Sequence, residues 1–183
     1  MDLNNEQVLA DTRRWLEKAV IGLNLCPFAR AVYVKNQVRI VVSRARHLDA
    51  FLDELDAELD LLQATPAERL ETTLLVHPTL FPDFLQFNDF LGVVDDVVAE
   101  HDLEGVVQVA SFHPQFQFEG SEPDDISNAT NRAPHPILHL LREDSVEQAI
   151  QSNAGDAEAI VERNIATLQA LGHEGWQRLL ASD

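Results

Sequence analysis

Two runs in this chain end in the same dipeptide, and together they constrain the fold more than any other feature. Thr72 to Val76 is a short apolar strand-like run that leads into His77-Pro78. Gly105 to Phe112, carried by Val106, Val107, Val109 and Phe112, leads into His113-Pro114. Between them Asp83 to Glu100 reads as a helix, with Phe84, Phe87, Phe90, Leu91, Val94, Val97 and Val98 along one side. A strand, a helix of crossover length and a second strand imply a βαβ unit with a right-handed connection. The proline after each histidine biases that residue toward extended backbone and stops the strand. If the two strands are parallel members of one sheet, both imidazoles reach its carboxyl edge, where open α/β sheets bind ligands.

The remaining elements follow from periodicity. Residues 5 to 22 form an amphipathic helix through Val8, Trp15, Leu16, Ala19 and Val20, closed by Gly22. Ala31 to Val34 and Val38 to Ser43 are β-rich and separated by Lys35-Asn36-Gln37, a hairpin pattern. His47 to Gln63 is a helix with an apolar stripe from Leu48 to Leu62. Pro136 at a first helical turn, followed by Ile137, Leu138, Leu140 and Leu141, predicts a helical region broken near Ser145. A last helix runs from Asp156 to Leu171 and closes at Gly172. The expected architecture is one α/β domain over residues 1–183. Its sheet is mixed and mostly parallel, with three roughly parallel strands and one antiparallel hairpin strand. Helices pack on it in a single compact layer sandwich, and 145–183 is a C-terminal helical extension.

Charge and cysteine usage narrow the function classes. The chain has 31 acidic residues against 13 basic ones, a formal net charge of -18, which repels nucleic-acid phosphates and anionic lipid. Cys26 is the only cysteine, so no intrachain disulfide forms, as suits a reducing compartment. The N-terminus carries acids and lacks an apolar signal-peptide core, and no run approaches a membrane span. A cytoplasmic location with neither a nucleic-acid nor a membrane partner is expected. No GxGxxG or P-loop pattern occurs, which argues against dinucleotide and nucleoside-triphosphate enzymes.

The chemistry-bearing residues concentrate in 105–142. Between His113 and His135 lies a connection of about twenty residues without periodicity, a length that is usually functional or disordered. It holds Phe116, Phe118, Asp124, Asp125, Asn128, Asn131 and Arg132. An Asp that orients a His makes a general acid/base pair, and an Arg fork holds a carboxylate or phosphate. This points to His113 as base, Asp125 as its orienter and Arg132 as anion anchor, with Asn128 and Asn131 as further substrate contacts. The alternative is a loop held by Asx turns and an Arg–Asp bridge. His135 and His139, four apart on an expected helix, present paired imidazoles. With His77, His113 and Cys26 they are candidate ligands for a divalent transition metal such as zinc. No HExxH or CxxC accompanies them. A buried structural thiol is the other fate open to Cys26.

Four segments resemble a known family when taken together. They are Gly22-Leu23-Asn24-Leu25-Cys26-Pro27-Phe28-Ala29, Ser111-Phe112-His113-Pro114-Gln115-Phe116, Thr130-Asn131-Arg132-Ala133-Pro134 and Leu138-His139-Leu140-Leu141-Arg142-Glu143. Their order and content are similar to an uncharacterised bacterial family of about this length, domain of unknown function 1415. The resemblance implies a single-domain cytosolic protein and carries no activity with it. The residues themselves point to a small hydrolase- or lyase-type enzyme at the carboxyl edge, in a metal-free or a metal-dependent form. The alternative is a non-catalytic protein that holds a metal ion or small anionic ligand in the same crevice.

Overall fold

The structure is a computed structural model and describes residues 4–152 and 156–181. One open four-stranded sheet organises it: β1 (Val38–Val42), β2 (Thr72–Val76), β3 (Val107–Phe112) and β4 (Ile137–Arg142), in the order β1-β2-β4-β3. β1 pairs parallel with β2, whereas β4 runs antiparallel to both β2 and β3. Three strands therefore point one way and one returns between the second and third. The mixed α/β sheet agrees with expectation, but two of its three hydrogen-bonded pairs are antiparallel.

The returning strand is not the one expected. Residues 29–34 form a helix, α2 (Ala29–Val34), so there is no hairpin before β1. Asn36 takes the left-handed conformation (φ 58°) that ends a helix as a glycine would, and the chain then enters β1. The antiparallel strand is β4, in the segment expected to be helical. Its Ile137, Leu138 and Leu140 are buried because the strand is covered on both faces of the sheet. Such a strand reads as a continuous apolar run, which periodicity alone cannot tell from a buried helix turn. Pro136 stands just before the strand, where its missing N–H costs no ladder bond, and its carbonyl accepts the His77 N–H at 2.9 Å.

Alternation along the strands sends successive side chains to opposite faces. On one face α3 (Leu48–Ala64) and α4 (Phe84–Glu100) cover Leu75, Leu138 and Leu140. Phe51, Leu55, Leu59 and Leu62 of α3 are fully buried there, each worth about 1.5–3 kcal/mol on leaving water. Arg39 of β1 also ties to this face through a two-pronged pair with Glu58 of α3, at 2.8 and 3.0 Å. On the other face α1 (Asn5–Trp15) and the π-helical stretch Leu16–Ile21 set Val8, Trp15, Ala19 and Val20 against Leu74, Val76 and Ile137.

Gly22 follows that stretch with an ordinary φ of -62°, so it is not a left-handed stop. It is needed for space: a Cβ there would lie 2.2 Å from the Lys18 carbonyl oxygen. Gly172 does interrupt a helix (φ 68°), but α6 (Ala157–Leu180) resumes beyond it and packs Trp176, Leu179 and Leu180 on the α1 face. The C-terminal segment is thus part of the core. Leu168 is fully buried with Leu25 and Ala129, and the Asn164 amide donates to the Leu25 carbonyl at 2.8 Å. Residues 1–3, 153–155 and 182–183, which belong to the expected domain and its extension, lie outside the described residues.

Candidate functional site

The carboxyl edge brings His77 and His113 together as the βαβ pattern implies. Val76 of β2 and Phe112 of β3 both pair with Ile137 of β4, so the two histidines leave the same edge on either side of one strand. Both are almost fully buried. The His77 Nε2–H donates to the Ala45 carbonyl at 3.2 Å, and its Nδ1 accepts the Thr79 and Leu80 N–H groups at 3.3 and 2.9 Å. His113 repeats the arrangement: Nε2–H donates to the Phe81 carbonyl at 2.8 Å, and Nδ1 accepts the Gln115 N–H at 3.0 Å. Burial holds both rings below the ordinary imidazole range. Each ring is neutral, with both nitrogens engaged by backbone.

The polar loop is wired in the same manner. Asp125 caps the 3-10 turn Ile126–Asn131 by accepting the Ser127 N–H, a bond that holds its carboxyl below the usual range; no hydrogen bond joins it to His113. Asn128 is fully buried: its Oδ1 accepts from the Phe118 N–H and the Ser121 hydroxyl, and its Nδ2 donates to the Glu122 carbonyl. Asn131 donates to the Ser111 carbonyl at 3.1 Å. Arg132 donates to the carbonyls of Phe116 and Pro123, at 3.0 and 2.7 Å, while its own carbonyl accepts the Trp15 indole N–H. Phe116 packs on Phe84, but Phe118 stays 40% exposed. The loop is folded over the edge by bonds to backbone: Asp125 makes an Asx turn, and Arg132 clamps two carbonyls where an Arg–Asp bridge was the expected alternative.

The metal-ligand set does not converge. His139 stands in β4 and His135 in the bend that precedes it, so the two do not share a helix face. His135 faces Asp11 at 3.4 Å, and His139 faces Thr72. Among the described residues no three His, Cys, Asp or Glu side chains come together to hold a metal ion.

Trp15 borders two cavities. A polar one of about 440 Å³ lies at the carboxyl edge between Asp11, Arg14, Pro114, Arg132 and Trp176. The larger, of about 570 Å³, opens on the α1 face toward the other end of the sheet, over the first residues of β1 and β2. Trp15, Leu16 and Val20 wall it on one side, Phe28 and Val32 on another, and Val146 and Ala149 of α5 (Glu143–Ser152) on a third. Its floor is Val38, Thr72, Leu74, Ala110, Phe112 and His139, with Cys26 at the margin. Of the candidate site residues read from the sequence, Cys26 and His139 line it. Burial raises the Cys26 thiol above its ordinary value and lowers the His139 ring to about 4. Reading 137–142 as a strand would have marked His139, which alternates with the core residues Leu138 and Leu140. Nothing local marks Thr72, Phe112 or Val146.

What fold and site define is an α/β protein with a four-stranded mixed sheet and a half-open hollow on one sheet face. The chain belongs to the family described as protein of unknown function DUF1415, whose model matches residues 7–178. No curated protein and no solved structure matches it. Among the described residues no helix is long and apolar enough to cross a membrane.

Proposed function

We propose that the protein binds a small, largely apolar molecule in the cavity between the sheet and α1, α2 and α5. The cavity carries this reading. Its volume of about 570 Å³ falls among small-molecule sites, and its walls are apolar around a few polar groups, as such sites are. Binding is favoured over covalent chemistry because burial keeps the Cys26 thiol protonated and the His139 ring unprotonated at neutral pH. A nucleophilic cysteine needs the opposite pairing, a thiolate beside an imidazolium. Titration with an uncharged solvatochromic dye tests the reading. Saturable one-to-one binding that raises the thermal midpoint is expected, and Ala110→Phe, which fills the floor, abolishes it. Binding that is unchanged in Ala110→Phe would place the dye elsewhere and sink the reading.

A second reading keeps a carboxylate or phosphate at the carboxyl edge. It is supported by Arg132, which borders the polar cavity with Arg14 and whose hydrogen bonds all go to backbone carbonyls. The hydrolase or lyase form of this reading needs His113 Nδ1, which carries the ring's lone pair, to release the Gln115 N–H before it can act as a base. Both readings take the chain as one cytoplasmic α/β domain without a nucleic-acid partner. The single cysteine and the formal net charge of -18 support that.

A further inference from the structure

Thr72 and His139 meet on the cavity floor, and their bonding fixes where one proton sits. The Thr72 hydroxyl oxygen lies 2.5 Å from the Leu140 carbonyl oxygen and 2.8 Å from His139 Nε2. A hydroxyl has one proton to give. The carbonyl can only accept, so if that proton pointed to the ring, two oxygen lone pairs would face each other at 2.5 Å. The hydroxyl therefore donates to Leu140, and its oxygen accepts from His139 Nε2–H. This leaves the lone pair of the ring on Nδ1.

Among the described residues no group donates to His139 Nδ1. The ring lies deep in the protein yet keeps part of its surface open, and it lines the cavity. The same cavity is walled by Trp15, Phe112 and Leu74. Arg142, the nearest cation along β4, also lines the cavity; its Nη2 lies within 2.6–2.9 Å of the Leu62, Thr65 and Leu70 carbonyl oxygens, while its buried Nε has no hydrogen-bond partner among the described residues. The cavity thus offers a neutral acceptor beside apolar walls, with Glu71, Gln108, Arg142 and Gln148 also on its lining.

We infer that the ligand of this cavity is a largely apolar molecule bearing one hydrogen-bond donor, a phenol-type hydroxyl or an indole-type N–H, seated on His139 Nδ1. The inference rests on the small-molecule reading above and narrows it. A carboxylate presents only lone pairs and makes no bond to Nδ1. A donor-free hydrocarbon fits but strands the acceptor.

The test uses the full chain and two probes with one aromatic body, a naphthol and its methyl ether, titrated by calorimetry. The naphthol should bind about ten-fold tighter, the effect of one hydrogen bond of about 1.4 kcal/mol. In His139→Phe that advantage should vanish while the ether still binds. Equal affinities in the wild type overturn the donor inference and leave the small-molecule reading standing. If neither probe binds, both fall. Should His139→Phe fail to fold, imidazole nitrogen NMR of the wild type decides. An unprotonated Nδ1 that shifts with the naphthol and not with the ether supports the inference; a ring protonated on Nδ1 overturns it.

Discussion

His77 and His113 stand on either side of Ile137 and hold the chain by the same pair of bonds. Each ring caps the turn that its own His-Pro begins and donates to a carbonyl beyond the preceding strand. Ala45 follows β1 and Phe81 follows β2, so the two rings latch successive connections across the carboxyl edge. The ring of His77 also packs edge-on against Phe51, with centroids 4.8 Å apart, and His113 lies 5.4 Å from Phe87.

Removing a latch should therefore cost stability. His113→Ala strands the Phe81 carbonyl and the Gln115 N–H in the interior, and a loss of about 1–3 kcal/mol is expected. Chemical denaturation measures it. A loss below about 0.5 kcal/mol, in the range of neutral surface substitutions, would mean the latch is not needed.

Gly22 and Gly92 should respond in opposite directions to the same change. At Gly22 a methyl meets the Lys18 carbonyl oxygen, so Gly22→Ala should cost about 1–3 kcal/mol. At Gly92, inside α4, nothing lies within 4 Å of the added carbon, so Gly92→Ala should stabilise by about 0.5–1 kcal/mol. Thermal melts of the two variants against wild type read both signs at once.

His139 should make stability fall in mild acid. Its ring titrates near 4 in the fold, against 6.5 ordinarily, so it favours the native state above pH 6.5. That contribution is lost as the pH falls from 6.5 toward 4, because only the unfolded chain takes up the proton; the full difference is about 3 kcal/mol. His139→Phe should flatten this part of the stability profile. Burial lowers His77 and His113 too, so some slope remains. A variant profile as steep as that of wild type would refute the assignment.

His101 should act in the other direction. Its ring lies 2.8 Å from Asp56 and 3.2 Å from Asp60, and the bond to Asp56 raises it above the ordinary 6.5. The ion pair is complete below pH 6.5 and is lost as pH rises through the raised value. Both carboxylates are well exposed, so the contribution is about 0.5 kcal/mol. Wild type and His101→Gln compared at about pH 5.5 and about pH 9 should differ more at the lower pH. A difference that widens toward pH 9 would contradict this sign.

Much of the carboxyl-edge reading was legible in the chain. The loop that His113 opens carries Asp125, Asn128, Asn131 and Arg132, and their types suit either a catalytic site or a set of Asx turns and backbone clamps. Composition does not choose between these, because an amide or guanidinium donates equally well to a substrate or to a carbonyl. The fold supplies the carbonyls: Glu122 for Asn128, Ser111 for Asn131, Phe116 and Pro123 for Arg132.

The sequence by itself determined the helices α3 and α4, the strands β2 and β3, their common direction and the meeting of His77 with His113 at one edge. Those features rest on periodicity and on proline, which act within a few residues. Only the tertiary structure decided that 137–142 is a strand, because its helix-like apolar run reflects burial on both faces and that burial comes from helices distant in sequence. The same decision placed His139 beside Thr72, 67 residues away in the chain, and turned its ring toward a cavity that no local pattern announces. A hollow exists only between elements, so its walls have no spacing to read.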